Sequence, residues 1–234
     1  MSDDICVKFW IHTSPARAGS DCLEQTLRSL RESDIGDEFE VCLGPPASTH
    51  TVAEMNQWWM DTLLRKATES TSDGGRGYVV RFEDDIIVNR HILHNVKTWP
   101  ALGQANFGMG DLFNADSYWP ERYDPMLWRV RGPEAIQRLE LDQQGGQGQL
   151  FASAALPKIM KKVERAGDLG GGKFGAYDFV VSRACNYAGF GYYAHLPSLV
   201  NCHDGCKVRS DGVAHDVGHY SDKNFDLNWK RKAP

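Results

Sequence analysis

Along the first hundred positions, apolar residues switch between two rhythms, and the switches predict the elements. Residues 5 to 11, ICVKFWI, form a dense apolar run closed by HTSPARAGS, whose Pro, Gly and Ser end a strand in a loop. In DCLEQTLRSLRES the apolar Leu23, Leu27 and Leu30 recur at spacings of four and three, behind Ser20 and Asp21, either of which fits an N-cap. FEVCLG reads as a short second strand, and GPPAST breaks it. A second helix follows in AEMNQWWMDTLLRKATES, with Met55, Trp59 and Leu63 on one stripe, and TSDGGRG leads into a third strand, YVVRF. Beyond it the pattern predicts a helix around ILHNVKTW, then a stretch at residues 101 to 147 that no periodicity assigns. A strand or helix start at GQLFAS comes next, followed by a helix over ALPKIMKKVERA, a linker GDLGGGKFG, a helix over DFVVSRACNYAG and a last strand over YYAHLPSLVN.

Strand, loop and helix in alternation imply an α/β fold: a mostly parallel sheet covered by helices and built by right-handed crossovers. No internal repeat interrupts the chain, and the glycine clusters at 145 to 148 and 170 to 172 read as loops within one domain. In such sheets ligands bind at the carboxyl ends of the strands. HTSPARAGS and FEDD both fall at that edge.

Composition narrows the class. Of 234 residues, 41% are hydrophobic and 24% charged, which is ordinary for a globular chain. The formal net charge of −5 at pH 7 gives no basic field for nucleic acid, although the tail NWKRKAP is locally basic. No apolar run reaches the roughly 18 to 20 residues a membrane span needs, and the start, MSDDICVKFW, is acidic, so the expectation is a cytoplasmic protein. Six scattered cysteines in a chain this large read as reduced, mostly buried thiols.

Chemistry concentrates where Glu83, Asp84 and Asp85 follow the third strand. Adjacent carboxylates repel, and burial forces one to take up a proton or find a cation. Side chains at i and i+2 share a strand face, so Glu83 and Asp85 are expected to converge while Asp84 points elsewhere. Two convergent carboxylates make a hard-oxygen site for Mg²⁺ or Mn²⁺. The competing reading is a solvated acidic turn in which Asp84 or Asp85 caps the next helix.

Other candidates are weaker signals. Tyr118, Trp119, Tyr123 and Trp128 crowd a Pro-containing stretch and suit stacking on a sugar or base, or a small satellite core. In GGQGQ, backbone can approach a ligand closely, and Gln147 and Gln149 add amide groups. Cys202, Cys206, His215 and His219 give a C-x3-C…H-x3-H order, but eight residues between the pairs are fewer than the roughly 12 of a zinc finger. G-x-G-x-x-G after the first strand, G-x-x-x-x-G-K-[ST] and G-x-S-x-G are all missing, which argues against dinucleotide enzymes, P-loop NTPases and elbow-type hydrolases.

VVRFEDDIIVNRHIL resembles the strand, D-x-D-like motif and helix of metal-dependent nucleotide-sugar glycosyltransferases of the GT-A fold. HTSPAR is similar to their nucleotide-holding loop, QGQLFASAALPKIM to the segment behind their acceptor side, and LPSLVNCHDG to their closing strand with a metal-binding His. The resemblance implies a nucleotide-binding half at residues 1 to 100, and an acceptor half at 101 to 234 that includes a C-terminal metal or lid segment. Thr13, Arg17, Glu83, Asp84 and Asp85 would then bind the donor. Asp85 would hold Mn²⁺ or Mg²⁺, completed by His203 or His215, while Glu83 would hold the ribose or a metal-bound water. Asp178, also a helix N-cap candidate, would deprotonate the acceptor hydroxyl, with Trp119, Gln147 and Gln149 on the acceptor side. The donor would be a nucleotide sugar, a UDP-sugar first. Phage enzymes of similar fold glycosylate hydroxymethylated DNA bases, which makes nucleic acid a candidate acceptor, read by Arg122, Arg129, Arg131, Arg138 and the KRK tail in the host cytoplasm. The alternatives are a nucleotidyltransferase with a carboxylate-bound metal, or a zinc-stabilised binding module without catalysis.

Overall fold

The computed structural model describes residues 5–46, 48–71, 76–113, 137–139, 147–166, 177–195, 197–202 and 225–232; at 137–139 and 177–179 it describes the backbone. Strand β1 (Ile5–Thr13) is followed by helix α1 (Asp21–Arg31), β2 (Phe39–Leu43), α2 (Val52–Thr71) and β3 (Arg76–Phe82). Next come β4 (Ile86–Val88), α3 (Ile92–Lys97), β5 (Phe107–Asp111), β6 (Gln137–Leu139) and β7 (Gly148–Ala152). The short helices α4 (Leu156–Met160) and α5 (Val163–Ala166), then α6 (Tyr177–Tyr187), β8 (Gly191–Ala194) and β9 (Val200–Cys202), complete the order.

Among the described residues seven strands form one sheet in the order β2-β1-β3-β7-β5-β8-β6. β1 pairs in parallel with β2 and β3, and β5 with β8, while β7 and β6 run against their neighbours. The sheet is thus mostly parallel and lies between two helical layers. Alternation along the strands divides the core: Phe9, Ile11, Val80 and Phe82 pack beneath α1 and α3, whereas Trp10, Val79, Met109 and Phe151 pack beneath α2, α4 and α6. α1 begins as its sequence predicts, with Ser20 Oγ accepting from the Leu23 N–H at 3.2 Å.

Several boundaries differ from the pattern-based expectation. Between the acidic motif and α3 lies β4, which pairs with β9 in a separate two-stranded ribbon, so Asp84 and Asp85 cap no helix. The expected last strand is two: β8 stays in the main sheet, the chain leaves it around Pro197, which has no N–H for a ladder, and β9 joins β4. The helix expected over 155 to 166 divides into α4 and α5, where Lys162 N–H turns back to the Ile159 carbonyl at 2.9 Å. β5 escaped the periodicity because two of its five residues are glycines. A Cβ on Gly110 would lie 2.7 Å from Trp99 Cη2, so the indole sits where a side chain would be.

Residues 225–232 form a strap against α3. Asn89 Nδ2 donates to the carbonyls of Asp226 (2.7 Å) and Trp229 (2.9 Å), and buried Asn95 donates to Trp229 O while accepting from Arg231 N–H at 2.8 Å. Trp229 then packs edge-on against His195, which meets Trp99 on another side. Of the three cations in the locally basic KRK tail, Arg231 is buried here, while Lys230 and Lys232 stay exposed. The expectation of six reduced thiols fails at Cys22, which is disulfide-bonded; among the described residues Cys6, Cys42, Cys185 and Cys202 are thiols. Among the described residues no helix is long and apolar enough to cross a membrane.

Candidate functional site

The carboxyl ends of β1, β3 and β5 and the start of β7 meet at one edge of the sheet. After β1 the chain folds on itself, with Arg17 and Ala18 N–H both donating to Ser14 O, and this turn sends the Arg17 side chain inward. Its guanidinium donates to Asp84 Oδ1 and, at 3.1 Å, to Asp85 Oδ2; the Thr13 hydroxyl donates to Asp84 Oδ2. Arg17 and Asp84 are 6% and 4% exposed. Burial works against the Arg17 charge, but the two carboxylates outweigh it and raise its pKa above the ordinary value. One cation thus faces two carboxylates in a partly dry setting. The trio keeps a formal negative charge.

Asp85 Oδ1 is buried and, among the described residues, has no hydrogen-bond partner. Among the described residues Ser14 Oγ, Gln147 Oε1 and Gln149 Nε2 are in the same condition, so unsatisfied polar atoms occur on the loop after β1, the turn after β3 and the start of β7, all at this edge, with Gln149 on the α2 face beside Arg81. Buried polar atoms are ordinarily paired, and each left unpaired costs about 1–3 kcal/mol. A carboxylate oxygen, an amide oxygen, a hydroxyl and an amide N–H are the groups that hydroxylated ligands and hard cations satisfy.

Glu83 goes the other way. It lies on the α2 side of the sheet, where Arg81 Nη2 donates to its Oε1 at 3.4 Å and to His12 Nδ1 at 3.3 Å, and Arg81 Nη1 donates to Gln149 Oε1 at 3.5 Å. The expected convergence of Glu83 with Asp85 is therefore replaced by two clusters on opposite faces. The strand ends at Phe82, and beyond it the chain turns, so strict alternation no longer sets where residue 85 points. Next along the sheet, Asp111 is fully buried, with Oδ1 accepting from Phe113 N–H (3.1 Å) and Oδ2 from the Tyr192 hydroxyl (3.3 Å).

Thr13, Arg17, Asp84 and Asp85 are thus brought together, Gln147 adjoins them at the start of β7, where Glu83 N–H donates to Gln147 O at 3.2 Å, and Gln149 lies with Arg81 on the α2 face. Asp178 lies in the first turn of α6, which leads by a short link into β8 and so starts at this same edge. Trp119, His203 and His215 lie outside the described residues, as do Cys206, His219, Arg122, Arg129 and Arg131. Among the described residues no three His, Cys, Asp or Glu side chains form a metal-binding group; Asp85 supplies a carboxylate oxygen that suits a hard cation. Sequence reasoning missed His12, Arg81 and Asp111. Arg81 carried a signal, as a cation in the otherwise apolar YVVRF; Asp111 fell in the stretch that no periodicity assigned.

No protein-family model matches the chain, and a search of curated proteins returns no match. Among solved structures, one similar to it is a glycosyltransferase involved in the glycosylation of the major capsid of PBCV-1, at 15% identity and a TM-score of 0.44, covering 82% of this chain and 83% of that one. Another is A197 from STIV, at 13% identity and a TM-score of 0.46, covering 97% of this chain and 98% of that one. Likeness at this level carries no argument about activity.

Proposed function

We propose that this chain is a GT-A-type glycosyltransferase that moves a sugar from a nucleotide sugar, a UDP-sugar first, to a hydroxyl acceptor, with a divalent cation at Asp85. One observation carries the reading: buried polar atoms left unsatisfied among the described residues, led by Asp85 Oδ1, lie at the carboxyl edge of a mostly parallel sheet, where α/β folds bind ligands. Asp85 and, from outside the described residues, His203 or His215 would hold Mn²⁺ or Mg²⁺. When bound, such a cation neutralises charge on the departing diphosphate. Arg17 donates to Asp84 and Asp85 and fixes them in place, and Thr13 orients Asp84. Gln147 and Gln149 offer an acceptor and a donor to ligand hydroxyls. Asp178, at the start of α6, is the proposed base that takes the proton of the attacking acceptor hydroxyl.

Nucleic acid remains a candidate acceptor; of the tail's basic residues, Lys230 and Lys232 are the exposed ones. The test is a thermal-shift panel of UDP-, GDP-, CDP- and dTDP-sugars with and without Mn²⁺. One nucleotide sugar is expected to raise Tm in an Mn²⁺-dependent manner, and Asp85→Asn is expected to abolish the Mn²⁺ dependence. A flat panel overturns the reading. Stoichiometric zinc that survives dialysis and is lost in Cys202→Ser would instead favour a zinc-stabilised module.

A further inference from the structure

Arg81 is a buried guanidinium in an apolar strand, and its surroundings are built from three strands. Register sets Trp10 and Gln149 on either side of it, so His12 and Glu83 lie one row nearer the carboxyl edge on the same face. Its nitrogens reach His12 Nδ1, Glu83 Oε1 and Gln149 Oε1 at 3.3 to 3.5 Å, and its carbon sits 5.1 Å from the Trp59 ring centroid. A guanidinium has only donors. The ring nitrogen facing it must therefore accept, which places the proton of a neutral imidazole on Nε2.

Burial, with help from the Arg81 charge, lowers the His12 pKa to about 3, so the ring is neutral at pH 7. Nε2 lies beside Gly44, where a Cβ would come within 3.0 Å of it, and the His12 ring lies 5.2 Å from that of Trp58. Among the described residues Nε2 meets no acceptor. The Glu83 side chain remains 34% exposed. A fixed N–H donor and a carboxylate acceptor thus stand on adjacent strands at the edge that holds the unsatisfied polar atoms.

We propose that Arg81 is a positioning residue that holds His12 as the Nε2–H tautomer and Glu83 in place, making the two a donor–acceptor pair for ligand hydroxyls. The identity of that ligand rests on the glycosyltransferase reading: vicinal hydroxyls of either the ribose or the transferred sugar supply the matching chemistry. The assignment of the tautomer does not depend on it.

The experiment has two arms. In ¹⁵N-histidine-labelled protein, with the His12 signals identified by their loss in His12→Gln, the wild type should give an unprotonated Nδ1 and a protonated Nε2. Arg81→Met should mix the tautomers, and Arg81→Lys, which keeps a donor, should largely preserve the Nε2–H form. A wild-type proton on Nδ1, or an unchanged tautomer in folded Arg81→Met, overturns the proposal; if Arg81→Met does not fold, Arg81→Lys and the wild type decide it.

In the binding arm, the nucleotide selected by the thermal-shift panel, its 2′-deoxy analogue and its sugar-linked form are titrated. Arg81→Met should bind about tenfold more weakly, the loss expected for one hydrogen bond. A ribose contact shrinks the gap between nucleotide and deoxy analogue; a sugar contact shrinks the gap between nucleotide and sugar-linked form. Equal weakening of all three overturns the recognition half. If the wild type binds no nucleotide sugar, the transferase reading falls, and the tautomer arm alone decides what Arg81 does.

Discussion

Arg17→Met should destabilise the fold by about 3–5 kcal/mol, because it strands a buried carboxylate instead of removing a solvated contact. Asp84 is 4% exposed and would keep only the Thr13 hydroxyl of its two described donors. Asp85 contributes less, since its side chain is 23% exposed and can hydrate. Against total stabilities of about 5–15 kcal/mol for a domain, the loss is large enough to lower a urea midpoint severely. Intrinsic fluorescence reports the transition, because the sequence holds 7 tryptophans and Trp10 and Trp99 are fully buried. Adding Asp84→Asn to Arg17→Met should recover part of the loss: the charge is gone, while the amide oxygen still accepts from Thr13. A loss below about 1 kcal/mol, the worth of an exposed ion pair, would refute the reasoning. So would a double variant no more stable than the single one.

Three further outcomes follow from the geometry. Burial, reinforced by Arg231 and partly offset by the Pro197 carbonyl, lowers the His195 pKa to about 3; above pH 6.5 both folded and unfolded forms are neutral, and between 6.5 and 3 only the unfolded chain takes the proton. Stability should therefore fall by about 1.4 kcal/mol per pH unit in that window on account of this residue, and His195→Gln should flatten a chemical-denaturation series by that slope. Asn95→Ala removes a fully buried amide bonded to Asn89 Oδ1, Trp229 O and Arg231 N–H, and should cost about 3 kcal/mol while making the C-terminal residues sensitive to limited proteolysis. In maleimide labelling, Cys22 should react only after reduction, and Cys42, whose thiol is pushed up to about 11 by burial and Glu40, should stay unlabelled in the native state; labelling of native Cys42 at the rate of an exposed thiol would contradict its setting.

The first half of the fold was legible because its elements are amphipathic and locally punctuated. Leu23, Leu27 and Leu30 share the buried stripe of α1, Ser20 caps it, and β3 is buried along Gly77–Phe82. The second half was harder for identifiable reasons. β5 gives up side chains so that Trp99 and Phe190 can pack on Gly110 and Gly108, which erases the period-two signal. β8 and β9 read as one strand because nothing local says which partner each takes; pairing with β5 or with β4 is a long-range matter. At the site, the sequence located the acidic motif and the Arg17 loop at the same edge. It did not reveal that Arg17 would bridge Asp84 and Asp85, because where Asp85 points depends on a bend after Phe82, whereas Glu83 meets Arg81 by plain alternation.

The strap of residues 225–232 bears on how the chain is made. Its backbone completes the hydrogen bonds of Asn89 and Asn95, and Trp229 closes over His195, so late residues of the sequence cover a layer begun more than a hundred residues earlier. On the ribosome, the first-half layer stays unsealed until residues 225–232 emerge, and a chain truncated before Trp229 would expose apolar surface to the proteases and chaperones that remove unfinished products.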